Sequence, residues 1–148
     1  MKALEAAASG TPSFNANATA MYALALAGEG HHAEAVERAT AVLESETGTY
    51  ADTAAALLTR GLALAQSGDA AGSGTAFDEA HTVVDATDDV LLQALLKLAE
   101  ASALDVLGDE RAATVLAAAD SALEAFGLRD TGWRVAFSTA ANGAYSRQ

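Results

Sequence analysis

At 148 residues and 51% hydrophobic, the chain is long enough to bury a core as one domain. Its net charge of −12, from 20 acidic and 8 basic residues, opposes binding to a phosphate backbone or to an anionic membrane leaflet. The absence of cysteine excludes disulfides, thiolate metal sites and cysteine nucleophiles.

Much of the apolar content is alanine, and only 5% of the chain is aromatic. Alanine is the best helix former, and a core rich in it needs backbones that approach closely, as packed helices do. The single proline, Pro12, leaves everything after it free to be helical. These features predict an all-α chain. No stretch reaches the ~18 apolar residues of a membrane span, and Glu5 interrupts any apolar leader at the start. A soluble, cytoplasmic protein is the expectation.

Apolar residues at helical spacing predict helices over 14–27, 32–46, 51–66, 70–86, 89–107, 110–126 and 131–142. Three short breaks, GEGHH at 28–32, SGDAAG at 67–72 and LGDER at 107–111, separate them into pairs. The breaks hold Gly30, Gly68 and Gly108, 38 and 40 residues apart. Glycine ends a helix in the left-handed conformation, and Asp69 or Asp109 after it can cap the next helix. Each break therefore predicts a tight hairpin turn. Looser polar connections, SETGT at 45–49 and ATDD at 86–89, join successive hairpins. The last helix follows Gly127 and an Asp130–Thr131 cap signal, and carries Trp133 and Phe137 four apart on one face. These two rings are expected to cover the exposed end of the last hairpin.

The pattern resembles tetratricopeptide-type repeats. The middle hairpin carries it best, with Gly61, the turn Gly68-Asp69, Ser73, Phe77 and Ala80. The first matches through Ala23, Gly30 and Ala35 but has Ala39 where an aromatic is usual. The third matches through Ala101, Gly108-Asp109 and Ala113, then drifts at Asp120. The resemblance spans most of 14–126, and its long spacing is similar to that of helical-hairpin repeats in large bacterial regulatory proteins. It implies a right-handed α-solenoid of antiparallel helix pairs, about seven helices in one domain. Lys2-Ala3-Leu4-Glu5 resembles the end of a repeat's second helix, so 2–9 reads either as the tail of a preceding repeat or as an N-terminal capping helix. The first of these implies a piece of a longer protein.

Catalytic and cofactor signatures are weak. The segment GDAAGSGT at 68–75 has the glycines of a phosphate loop, but Gly74 stands at the lysine position and a helix leads in. Close helix packing explains those small residues better. His31 and His32 are adjacent and cannot share a helix face as metal ligands do, and His81 is remote. His32 is expected to fill the slot beside the first turn. Asp88, Asp89, Asp109 and Glu110 suit helix N-termini, while Asp78-Glu79 suits a solvated face. The chain reads as a non-enzyme with no cofactor.

In the architecture that the resemblance implies, first helices of each hairpin line a concave groove. Its register places Asn17, Ala20, Leu24 and Ala27 there from the first hairpin, and Ala55, Leu58, Leu62, Ala65 and Gln66 from the second. From the third come Leu95, Leu98, Ser102, Asp105 and Val106. Family members that grip the carboxylate tails of heat-shock chaperones use lysine, arginine and asparagine at such positions. Leu24, Thr59, Leu95 and Ala99 stand here instead, which argues against a carboxylate clamp. An exposed row of leucines calls for an apolar cover. The candidates are a partner's amphipathic helix, a second copy of the chain, or a further segment of the same protein. A register shift would instead make the leucines plain core.

Residues 1–126 hold nineteen acids and five bases, net −14, whereas 127–148 hold Arg129, Arg134 and Arg147 against Asp130, net +2. An acidic solvated surface accounts for the first figure, and selection of basic partners is the alternative. Six arginines against two lysines, with the abundant alanine, suggest a GC-rich genome. The expected function is a non-catalytic protein-interaction module of a larger bacterial regulatory or signalling protein. A homodimeric structural domain, or a small-ligand or metal receptor near His31 and His32, are the rivals.

Overall fold

The computed structural model describes residues 15–128 and 132–143, so the proposed repeat tail at 2–9 lies outside the described residues. Among them the protein has seven α-helices and no strand: α1 (Ala16–Gly28), α2 (His32–Glu44), α3 (Tyr50–Gln66), α4 (Ala70–Asp85), α5 (Val90–Val106), α6 (Ala112–Glu124) and α7 (Gly132–Asn142). The chain is all-α. No helix among the described residues is long and apolar enough to cross a membrane.

Most helix starts are set by one oxygen-bearing side chain that satisfies a free backbone N–H. Asn15 accepts from Ala18 N at 2.9 Å, Asp69 from Gly72 N at 2.9 Å, and Asp89 from Leu92 N at 3.0 Å. Thr49 and Asp52 form a reciprocal capping box at the start of α3. Asp109 behaves differently. It accepts from the backbone N, Nε and Nη2 of Arg111, so a turn precedes α6 and the helix begins at Ala112 rather than at 110. Those bonds, the side-chain one first, hold its carboxyl below the usual range.

Four of the helix ends repeat one geometry. Gly30, Gly68, Gly108 and Gly127 have φ of 87°, 84°, 71° and 77°. The residue after each glycine donates its N–H back to a leucine carbonyl: His31 to Leu26, Asp69 to Leu64, Asp109 to Leu104, and Leu128 to Leu123, at 2.9–3.1 Å. This is the Schellman closure, which satisfies carbonyls the helix leaves free. Leu-x-x-x-Gly is its signature in this chain.

The turns fold α1 on α2, α3 on α4 and α5 on α6, while α2 also meets α3 and α4 meets α5. The first helices form a row, α1 beside α3 and α3 beside α5. Between α1, α2 and α3 lies a small cluster of Ala16, Ala20, Ala23, Ala39, Val42 and Ala56, close packing of the kind an alanine-rich composition predicts. The larger cluster draws on all seven helices and contains Phe77, Leu62, Leu96, Leu98 and Phe137.

The middle hairpin shows why small residues fill its turn region. A Cβ on Gly61 would lie 2.5 Å from Cε2 of Phe77, so only glycine admits the ring. Beside it the buried Ser73 Oγ donates to the Gly61 carbonyl at 2.8 Å. Gly72 approaches the Asp69 carboxylate in the same way. In the first hairpin Tyr22 of α1 is buried, and Arg38 of α2 lies 5.3 Å from its ring centroid. His32 is half-buried at the start of α2, and His31 is exposed.

Candidate functional site

The helix α7 is laid across the row of first helices: its backbone approaches α1, α3 and α5, and none of the second helices. The helix does meet α5 of the last hairpin, as expected of a cover for it, but it crosses α3 and α1 as well. Its inward residues, Phe137, Ala140 and Ala141, repeat at i, i+3 and i+4, and all are at most 2% exposed. Trp133 stacks on Phe137 at 5.6 Å between centroids but stays 42% exposed, so Phe137 alone is the deep anchor.

This placement decides the fate of the leucine row. Leu58, Leu62 and Leu98 are buried and share the large core cluster with Phe137, Ala140 and Ala141. Leu24 and Leu95 are half-buried against the same cluster. The row is therefore not open: Leu58, Leu62 and Leu98 are core residues, the alternative that a register shift offered, and α7 is one of the helices packed on that row. Gln66 links the parts directly, its Nε2 donating to the carbonyls of Ala27 and Ala140, each at 2.7 Å. The C-terminal ends of α1, α3 and α7 thus meet at one amide. A Cβ on Gly143 would come within 3.0 Å of Gln66 Cδ and of the Gly30 backbone, so the fit there is close.

The opposite end of α7 is held more loosely. The Arg134 guanidinium donates to the Asp120 carboxylate of α6, both side chains being over two-fifths exposed. Two clefts flank the helix. One, of about 350 Å³ between α5, α6 and α7, is lined by Leu98, Ser102, Asp105, Leu116, Arg134 and Ser138 among others. The other, of about 430 Å³, is lined by Leu91, Leu95, Leu128, Gly132, Trp133 and Ala136. Asp105 is exposed at the first, and Leu95 belongs to the second. Val90, Leu91, Leu128 and Trp133 leave apolar surface in water around this end, between 38% and 52% exposed.

Charge follows the same division. Arg134 is the only charged residue of α7, and the three hairpins it crosses carry the acidic excess. Of the row it lies on, α1 carries no charged residue, α3 carries Asp52 and Arg60, and α5 carries Lys97, Glu100 and Asp105, so most of the acidic excess lies on other elements.

Two contacts that sequence reasoning passed over join successive hairpins. Tyr50 Oη donates to the Asp89 cap at 2.9 Å, which with the adjacent negative charge raises the phenol's pKa. His81 of α4 meets Glu100 of α5 at 3.2 Å, and chiefly that hydrogen bond raises the imidazole pKa against the opposing effect of burial. Neither His31 nor His32 joins a cluster. Among the described residues no three histidine or acidic side chains converge as metal ligands would.

Comparison with known proteins finds no matching family model, no similar curated protein and no similar solved structure.

Proposed function

We propose that the chain is a non-catalytic protein-interaction module, a domain of a larger regulatory protein, whose α1–α3–α5 face receives an amphipathic helix. The observation that carries this reading is α7 itself. An 11-residue helix is marginal alone in water, so the row of first helices stabilises a helix by giving its apolar stripe a place to bind. The contacts are those of helix-in-groove recognition: an aromatic anchor, two alanines that allow close approach, and a polar clamp at one end.

The test is a display selection of genomic fragments on the full chain, with enriched fragments synthesised and mapped by amide exchange. The reading expects a helical fragment that alters protection along α1, α3 and α5, and whose binding is weakened by Leu95→Glu at the rim. Fragments that map only to the outer face of α2, α4 and α6, or none at all, contradict it.

A further inference from the structure

We infer that the cleft between α4, α5 and the start of α6 is a binding site for a small organic cation, an ammonium group carried on a compact apolar stem. The backbones of α4 and α6 do not approach each other, and the space they leave above α5 is a cleft of about 330 Å³. That volume is of the size that small-molecule sites have. α5 turns Glu100, Ala103 and Leu104 toward it, whereas α7 lies near the opposite face of α5, at Leu98, Ser102 and Asp105. The cleft is therefore separate from the face that α7 covers.

Gly74, on the α4 wall, is the informative residue. Glycine is the least favourable residue of a helix interior after proline. Gly61 and Gly72 are also inside helices, and their neighbours require them: an added Cβ would lie 2.5 Å from the Phe77 ring in one case and from the Asp69 carboxylate in the other. At Gly74 an added Cβ would meet no atom within 4 Å, and its φ is not in the left-handed region. Neither packing nor backbone conformation calls for glycine there. What the missing side chain provides is width in the cleft. In the glycine-rich segment 68–75 this is the one small residue that helix packing does not explain.

The lining sets the charge of the ligand. Asp78 from α4, Glu100 from α5 and Asp109 from the turn face the cleft against the single guanidinium of Arg111. The cations are already engaged, Arg111 with Asp109 at 2.9 Å and the adjacent His81 with Glu100 at 3.2 Å. Among the described residues no hydrogen bond or ion pair reaches the Asp78 carboxylate. An anion would be repelled here, and no three histidine or acidic side chains among the described residues converge as a metal needs. Leu104, Leu107 and Val115 supply apolar walls beside the carboxylates. An ammonium on an apolar stem answers both parts of this lining, its charge toward Asp78 and Glu100 and its stem along the leucines.

The experiment titrates phenethylamine into the full isotope-labelled chain and follows backbone amide shifts, beside the neutral 2-phenylethanol and the anionic phenylacetate. The expected result is saturable shifts concentrated at Gly74, Asp78, Ala103, Leu104 and Val115, weakened by added salt. The alcohol should bind about fivefold more weakly, and the anion not at all. Gly74→Leu should fold at least as stably as the wild-type chain, since leucine is the better helix former, yet bind the amine about tenfold more weakly because the cleft is filled. Asp78→Asn, at an exposed position, should lose about threefold.

A Gly74→Leu chain that binds the amine as wild type does would overturn the proposal. So would one that fails to fold, because the space in front of Gly74 would then not be open. Equal binding of the amine and the alcohol would remove the carboxylates from the account. Shifts spread evenly over the acidic surface, with no focus at the cleft, would show a general ion atmosphere and also overturn it.

Discussion

Of the helices packed on α3, two are held in different ways. α4 arrives through a tight turn and interlocks: Phe77 occupies the space Gly61 leaves, and Ser73 bonds the Gly61 carbonyl 12 residues back. α7 arrives from the far end of the chain, and its link to α3, Gln66 to Ala140, spans 74 residues. Phe77 and Phe137 are equally buried, at 2% exposure each. Burial alone therefore does not separate a residue that builds the fold from one that docks on it. On the proposed reading connectivity does: losing Phe77 should disrupt a hairpin through which its neighbours pack, whereas losing Phe137 should release α7 with the hairpins intact.

The largest expected effects test this contrast directly. Phe77→Ala should destabilise the whole chain by about 3–5 kcal/mol, lowering the urea midpoint of far-UV dichroism and of Trp133 fluorescence together. Phe137→Ala removes a ring of equal burial, but its effect on the hairpins is bounded by the docking free energy of α7. Trp133, the only tryptophan, should report a separate, earlier transition while the dichroic transition moves less. A single coincident transition in both variants would erase the distinction.

Next is Gln66→Ala, which removes two hydrogen bonds of 2.7 Å and should weaken α7 docking by about 1–2 kcal/mol. The Trp133 transition should shift and that of the hairpins should not. Gly68→Ala should lower hairpin stability by about 1 kcal/mol through its positive φ alone, because no atom lies within 4 Å of the added methyl. It should leave the α7 transition in step with the rest.

The smallest effect concerns the α4–α5 contact. The His81 pKa is raised in the folded chain, so its stabilising contribution is fully present below the unfolded value of 6.5 and disappears as pH rises through the folded value. With both side chains partly exposed, about 0.5 kcal/mol should be lost on going from pH 6 to pH 8, and Glu100→Gln should flatten that slope.

The hairpins were legible in the sequence because their determinants are local. A glycine with positive φ can be read directly, and the leucine four residues before it, which supplies the closing carbonyl, is an equally readable signal that only the structure made plain. The site of α7 was not legible. The spacing of Trp133, Phe137, Ala140 and Ala141 says that a face is buried but not what it is buried against. The leucines of α1, α3 and α5 carried the complementary ambiguity: amphipathicity records that an apolar cover exists without saying which segment provides it. Here the two unknowns answer each other. Contacts such as His81–Glu100 depend on how α4 meets α5, which no local pattern encodes.

Native-state hydrogen exchange, followed by mass spectrometry at rising urea, most directly tests whether α7 is an occupant and not a member of the core. Amides of Ala136–Asn142 should exchange through an opening that leaves α3 and α5 protected, at a free energy at least 1.4 kcal/mol (about tenfold in population) below theirs. That gap should widen in Gln66→Ala. If α7 and α3 open at one common free energy with one urea dependence, α7 unfolds only with the whole chain, and the groove has no exchangeable helix.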